Sequence, residues 1–413
     1  MQVAEVVGGV LGPDAPVRVF GYDGSKAGPD TAETAVRIVS PRALARMATA
    51  PGSLGLARAY VTGDLEVEGD LYALLESIAD LTLNGLPRAE RIRLARRLAP
   101  VALRHRVGPP EMEYRPAHRL RWRKHSRRRD SRAIAHHYDV SNTFYEWVLG
   151  PSMAYTCAFY PTADATLEQA QAAKFELVAQ KLGLRTGMRL LDVGCGWGSM
   201  VMHAAAEHGV RALGVTLSRN QAQWAQAEIE RRGLGHLAEV RHLDYRDVPV
   251  GQFDAVSSIG LTEHLGRAAL PSYFRFLASR LRPGGRLLNH CITQSRTPAT
   301  FRTDPFIDRY VFPDGQLHAV GHLITVMNDN GFEVRHEENL REHYAMTLRD
   351  WGRNLDAHWE EAVAEVGEGR ARVWRLYMAA CRLAFARDGI QLHQVLGEVV
   401  GDRGASGFPL RGW

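Results

Sequence analysis

The feature that most constrains this chain is a short apolar run, Leu190-Leu191-Asp192-Val193, ending in Gly194-Cys195-Gly196-Trp197-Gly198. A buried strand that stops on alternating glycines and turns at once into a helix, here Ser199 to His208, opens a strand–helix–strand unit. Glycine lets the backbone turn sharply and lets a ligand approach the main chain. The pattern continues downstream. Ala212-Leu213-Gly214-Val215 predicts the next strand, and Ser218 caps a helix reaching Arg232. Val240-Arg241-His242-Leu243, Phe253-Asp254-Ala255-Val256 and Arg286-Leu287-Leu288-Asn289 predict three more strands, with a turn at Pro283-Gly284-Gly285. Phe332-Glu333-Val334-Arg335 resumes the sheet after a Pro/Gly-punctuated insertion, and the part from about Leu348 reads as mostly helical. Upstream, Thr166-Leu167-Glu168-Gln169 is a capping box opening a helix to about Leu182. Strands alternating with helices imply an α/β fold with a mostly parallel sheet.

The loop is not a dinucleotide fingerprint. That pattern wants its third glycine where Ser199 stands, and the ribose-binding acid expected about 20 residues later is absent. An aspartate followed by GxGxG resembles the S-adenosylmethionine loop of class I methyltransferases instead. Asp244-Tyr245-Arg246-Asp247, after the third strand, resembles their adenine-contacting segment. A bare GxGxG can also be a packing turn; the later acidic motif, in the right order, favours a donor site. Ligands in open α/β sheets bind beyond the carboxyl ends of the strands. Glu263-His264 follows the fourth strand there and His290 the fifth.

Charge is unevenly spread. Arg88 to Arg132 holds sixteen Lys and Arg against four Asp and Glu, whereas the whole chain carries only +5. Leu103, Leu120 and Trp122 sit among these cations, a mixture suited to an anionic lipid surface and also to nucleic acid. Residues 1–87 read as a small α+β domain, with strands at Val17-Arg18-Val19-Phe20 and Ala35-Val36-Arg37-Ile38 and a helix from Pro41. Residues 88–132 read as a basic linker, and 133–413 as the catalytic α/β domain. Four scattered cysteines, with no CxxC pair, argue against a zinc ribbon or a disulfide framework and make a reducing cytoplasm the default. No secretory signal and no run of about 18 apolar residues is found.

Together these residues resemble the cyclopropane-fatty-acyl-phospholipid synthases and their mycolic-acid relatives. The resemblance rests on His137-Tyr138-Asp139, Met153-Ala154-Tyr155-Thr156-Cys157-Ala158, Leu167 to Gln171, Leu191 to Gly198, Gly214 to Ser218 with Gln221, and Glu263-His264. It continues through Phe312-Pro313-Asp314-Gly315, Tyr344 with Thr347-Leu348, and Ile390-Gln391-Leu392. Gly55-Leu56 and Gly63 to Val67 resemble the extra N-terminal domain of the phospholipid-acting members. The implied fold is a class I Rossmann-like methyltransferase sheet with a small N-terminal α+β domain. The implied cofactors are S-adenosylmethionine and a bicarbonate that acts as base. The resemblance assigns the anion to Cys157, Glu263, His290, Tyr344 and the backbone of Ile292. It assigns the donor to Tyr155, Thr156, Asp192, Gly194, Gly196, Gly198, Thr216, Ser218, Gln221, Asp244, Tyr245 and Arg246. Cys381 matches a family cysteine, and the chemistry needs no thiol nucleophile.

Two positions depart from the family: Thr262 where Phe is usual before Glu263, and Asn289 where Leu is usual before His290. That combination resembles an actinobacterial branch forming the 10-methylene precursor of 10-methylstearate, against the cyclopropane made elsewhere in the family. Expected partners are an unsaturated phospholipid, an anionic membrane surface at the inner face and a separate reductase for a methylene product. A homo-oligomer is also expected. A nucleic-acid methyltransferase is disfavoured: no Pro-Cys nucleophile occurs, and Pro109-Pro110 lies between Gly108 and Glu111 rather than in an amine clamp.

Overall fold

A computed structural model describes residues 2–11, 15–50, 52–79, 96, 99–101, 103–105, 107–114, 141–249, 251–296, 303–313 and 315–410. Most of the basic segment, and His137-Tyr138-Asp139, lie outside them. The chain forms two compact units. One takes residues 1–115, 304–313 and 355–383; the other takes 116–303, 314–354 and 384–413.

The first unit holds strands β1 (Val17–Phe20), β2 (Lys26–Ala27), β3 (Thr34–Ile38) and β4 (Leu65–Glu68) in the order β2-β1-β3-β4. β1 and β3 run parallel and the other pairs antiparallel. The Pro41–Thr49 helix begins where the Ser40 side chain accepts from Arg42 N and proline fills the first turn, a place where its missing N–H costs nothing. Charges buried in this unit are paired, as they must be. Arg46 Nε donates to Asp64 at 2.8 Å, and Arg58 grips Glu113 through two bonds of 2.7 Å. The Tyr310 hydroxyl also donates to Glu113, and Arg372 donates to Tyr60 O, so distant segments of chain share one core.

The second unit is built on β5 (Arg189–Val193), β6 (Arg211–Thr216), β7 (Ala238–His242), β8 (Phe253–Ile259), β9 (Leu281–Gln294), β10 (His318–Ala319), β11 (Glu333–Asn339) and β12 (Ile390–Glu398). The order is β11-β12-β9-β8-β5-β6-β7, with β10 beside β9. β9 to β7 run parallel, and β12 is antiparallel to both its neighbours. Both faces of the central strands are covered, so alternate residues feed two cores. Leu190, Ala255, Leu288 and Leu396 enter one; Leu191, Val256, Leu287 and Val395 enter the other. The strand order reverses between β5 and β8, and the crevice at their carboxyl ends is where such sheets bind ligands.

The class I α/β reading therefore holds, with two local differences. β12 emerges after the helices Arg341–Ala357, Trp359–Val366 and Glu368–Ala386, in the part read as mostly helical. Pro283-Gly284-Gly285 lies inside β9 as an irregularity: Gly284 has φ +74° and the register with β8 slips between Phe253 and Ala255. Among the described residues, no helix is long and apolar enough to cross a membrane.

Candidate active site

Gly194, Gly196 and Gly198 take φ values of +76°, +55° and +78°, the left-handed region that favours glycine. They are not equivalent. A Cβ on Gly194 would come within 2.7 Å of Leu261 Cδ1, and one on Gly198 within 3.1 Å of Val240 Cγ2. At Gly196 a Cβ would meet nothing within 4 Å. The outer glycines permit close packing of the loop; the middle one borders open space in which a ligand can lie. Gly194 N and Cys195 N both donate to Val215 O, tying the loop to β6. Asp192 is buried and accepts from Ser257 Oγ at 2.6 Å, and burial pushes its carboxyl up to about 6.

The other residues expected to hold the donor follow at the ends of the next two strands. Thr216 Oγ1 donates to Gln221 Oε1 at 2.9 Å and accepts from Ser218 N at 3.2 Å. Ser218 Oγ accepts from Gln221 N and caps the Arg219–Arg231 helix. Asp244 holds the Arg246 guanidinium through bonds of 2.8 and 2.6 Å, and the Tyr245 ring packs edge-on against Tyr273 and Phe276. Tyr155 and Thr156 are held from two helices. Gln171 Nε2 donates to Thr156 O at 3.0 Å and Lys174 Nζ to Thr156 Oγ1 at 3.1 Å, from the Leu167–Leu182 helix. Trp351, fully buried on the Arg341–Ala357 helix, lies 5.3 Å from the Tyr155 ring. The open space at Gly196, beside a helix N-terminus, fits S-adenosylmethionine.

At the other end of the site, Glu263 sits in the tight turn Thr262–His264 after β8. Its Oε1 accepts from Ile292 N at 2.8 Å; its Oε2 is buried with no hydrogen-bond partner. Burial pushes this carboxyl up to about 7. His290 is 1% exposed on β9, and its Nε2 likewise has no partner. Cys157 is fully buried, near Ala158 O and Leu340 O, and burial pushes its thiol well up, so it stays protonated. The Tyr344 ring packs 4.5 Å from Phe385 and 6.1 Å from Trp351. Each buried polar atom left unpaired costs about 1–3 kcal/mol, so each is an atom that a ligand could satisfy.

The state of His290 follows from its neighbours. Lys181, wholly buried, donates to Glu338 and to Gln394 Oε1 at 2.7 Å. An ammonium can only donate, so the amide oxygen must face it and the amide nitrogen faces His290 Nδ1, 3.2 Å away. Nδ1 therefore accepts, and the ring proton sits on Nε2. Burial, with Lys174 and Lys181 nearby, holds the imidazole well below its ordinary pKa, so it is neutral. Lys174 is itself pushed down to about 7 by burial, against the opposing pull of the Asp192 carboxylate. Gln171, Lys174 and Lys181 lie on the buried face of one helix, over Asp192, Ser257, His290 and Gln394 from four adjacent strands.

Reading motifs missed Lys174, Lys181, Gln394 and Trp351. The lysines carried a signal: they interrupt the apolar stripe of Leu167, Ala170, Val178 and Leu182 at helical spacing. Asn289 and His290 stand on opposite faces of β9. Alternation along the strand puts Asn289 on the face of Leu287 and Cys291, and its Nδ2 donates to Cys291 Sγ at 3.3 Å. Cys381 lies on the Glu368–Ala386 helix, with its thiol pushed up to about 12 by burial.

The chain is similar to several known proteins. The family model described as mycolic acid cyclopropane synthetase matches residues 125–395. A probable fatty acid methyltransferase of Mycobacterium tuberculosis is 53% identical over 410 residues, covering 96% of this chain and 94% of that protein. The tuberculostearic acid methyltransferase UfaA1 of the same organism is 32% identical over 392 residues, covering 92% and 87%. Among solved structures, mycolic acid cyclopropane synthase CmaA1 complexed with SAH and CTAB superposes with a TM-score of 0.61 at 31% identity, covering 65% of this chain and 98% of that one. The chain belongs to the mycolic acid cyclopropane synthetase family of S-adenosylmethionine-dependent methyltransferases.

Proposed function

We propose that the protein C-methylates the cis double bond of an oleoyl chain in a phospholipid and converts it, still esterified, to a 10-methylene acyl chain. The observation that carries this reading is the pair of buried, unpartnered atoms, Glu263 Oε2 and His290 Nε2, in the same unit as the glycine loop. S-adenosylmethionine, when bound, supplies an electrophilic methyl. The alkene π pair would form the new C–C bond as the methyl–sulfur bond breaks, its electron pair staying on the departing thioether, and the acyl chain would be left with a cation on the neighbouring carbon. Tyr155, Trp351 and Tyr344 form a run of aromatic rings suited to such a charge. Lys174 holds Thr156, and so the Tyr155 segment, in position.

A proton must then leave. His290 cannot take it, because its Nε2 already carries one; it is suited to hold an acceptor in place. A bicarbonate would be held by His290 and Glu263, with Tyr344 and Cys157 in the wall, and would supply the base. Loss of a proton directly from the new methyl closes a cyclopropane; loss after a hydride shift leaves the exocyclic methylene. Thr262, buried next to Glu263 where the family carries Phe, supports the methylene product, as does the likeness to a relative named for tuberculostearic acid. The second reading is a cyclopropane product, favoured by the bond from Asn289 to Cys291, which points its amide away from His290. A methylene chain becomes 10-methylstearate only with a separate reductase. The basic stretch Arg88 to Arg132 supports work at an anionic membrane surface.

The test is product analysis. Purified protein, S-adenosylmethionine and oleoyl phospholipid vesicles should yield acyl chains one CH2 heavier with exocyclic vinylidene protons by NMR. High-field cyclopropyl signals would select the second reading, and unmodified oleate would remove both.

A further inference from the structure

We propose that Glu176, His203 and His208 form a divalent metal site of the zinc class, away from the methyl-transfer site. Glu176 projects from the Leu167–Leu182 helix, and both histidines from the Ser199–His208 helix. The two imidazoles converge on one carboxylate oxygen: Nε2 of His208 lies 2.9 Å and Nε2 of His203 3.5 Å from Glu176 Oε2. All three ligand atoms lie within 4.8 Å of one another. One hydrogen bond accounts for His208. It does not account for His203, whose Nε2 is shielded from solvent and makes no hydrogen bond.

Tetrahedral zinc with bonds of 2.0–2.2 Å sets its ligand atoms about 3.3 Å apart, so the observed spacing needs only small side-chain adjustments. Glu176 Oε1 accepts from Gln180 Nε2 at 2.9 Å, a bond that fixes the carboxylate while its second oxygen faces the histidines. Two histidines and one carboxylate leave a fourth position for water. Such an ion would staple two helices that serve the donor site: one carries Gln171 and Lys174, and the other starts at Gly198.

The experiment uses the full chain stripped of metal by a chelator. Zinc chloride is titrated by calorimetry into wild type and into the His203→Ala/His208→Ala double variant, and thermal unfolding is followed with and without zinc. One equivalent should bind wild type, with affinity lost by about tenfold or more in the variant. The wild-type midpoint should rise with zinc and the variant's should not, since only a ligand of the folded state stabilises it. S-adenosylmethionine affinity in the metal-free state should match in the two proteins, which verifies that the variant is folded. Equal zinc affinity in both, or no stoichiometric binding by wild type, overturns the proposal.

Discussion

The two ends of the active site solve different physical problems. At the donor end almost every polar side chain is satisfied from within: Thr216 by Gln221, Asp192 by Ser257, Asp244 by Arg246. What it offers a ligand is main chain, glycine conformations and shaped space. At the base end Glu263 Oε2 and His290 Nε2 are buried with nothing to bond. The first end is largely satisfied before its ligand arrives, Gln171 Oε1 excepted. The second stores a cost of about 1–3 kcal/mol per atom that a bound anion would relieve. Damage at the two ends should therefore look different.

The largest effect is expected at the base end. Glu263→Gln and His290→Ala should each lower turnover on a lipid substrate by about a hundredfold or more, the usual scale for loss of proton-transfer machinery. Donor affinity by calorimetry should stay near wild type. Full activity in either variant would remove that residue from the chemistry, and a matching loss of donor affinity would erase the distinction between the ends.

At the donor end, Gly196→Val and Gly194→Val should part company. Both residues have positive φ, so both pay backbone strain of about 1–2 kcal/mol. Only Gly194 also faces a neighbour at 2.7 Å. Gly196→Val should lose S-adenosylmethionine binding and keep most of its thermal stability; Gly194→Val should lose stability first. The reverse order would mean that the open space at Gly196 is not where the donor lies.

A smaller effect tests the tautomer of His290. Gln394→Ala removes the donor to Nδ1 and lets the proton move there. A fall in kcat of about tenfold, the worth of one hydrogen bond, should come with little change in KM. Nitrogen NMR of the labelled imidazole should show Nε2–H in wild type and a mixture in the variant. An unchanged spectrum would leave Lys181 and Gln394 as packing groups only.

Much of this architecture is legible in the amino-acid sequence. The glycine loop, the strand–helix alternation and the capping box at Thr166 are local signals, carried by contiguous residues with a fixed period. β12 is harder: Ile390–Glu398 becomes a strand because β9 and β11 offer edges on either side, and β9 lies about a hundred residues away in sequence. The base end is half legible. Glu263 and His290 stand out by position, whereas Gln394 and Lys181 matter only through pairing that no local pattern encodes. For Asn289 the alternation of a strand is enough: its place next to His290 implies the opposite face.

The smallest expected effect concerns stability against pH, and it compares charges from the two ends directly. Glu263 titrates near 7 when folded, against an ordinary value of 4.5. Between those values the folded chain holds a proton that the unfolded chain releases, so stability falls as pH rises from about 4.5 to 7. Asp192, near 6 against 3.8, adds to the fall. Lys174 works the other way. It is near 7 when folded against 10.5, so between those values the unfolded chain holds the extra proton and stability rises with pH. Urea midpoints taken from about pH 4.5 to 10 should thus pass through a shallow minimum near neutrality. Glu263→Gln should flatten the acid limb and leave the alkaline one; Lys174→Met should flatten the alkaline limb and leave the acid one. If the three curves run parallel, these groups are not desolvated as described, and the buried polar layer beneath the Leu167–Leu182 helix is open to water.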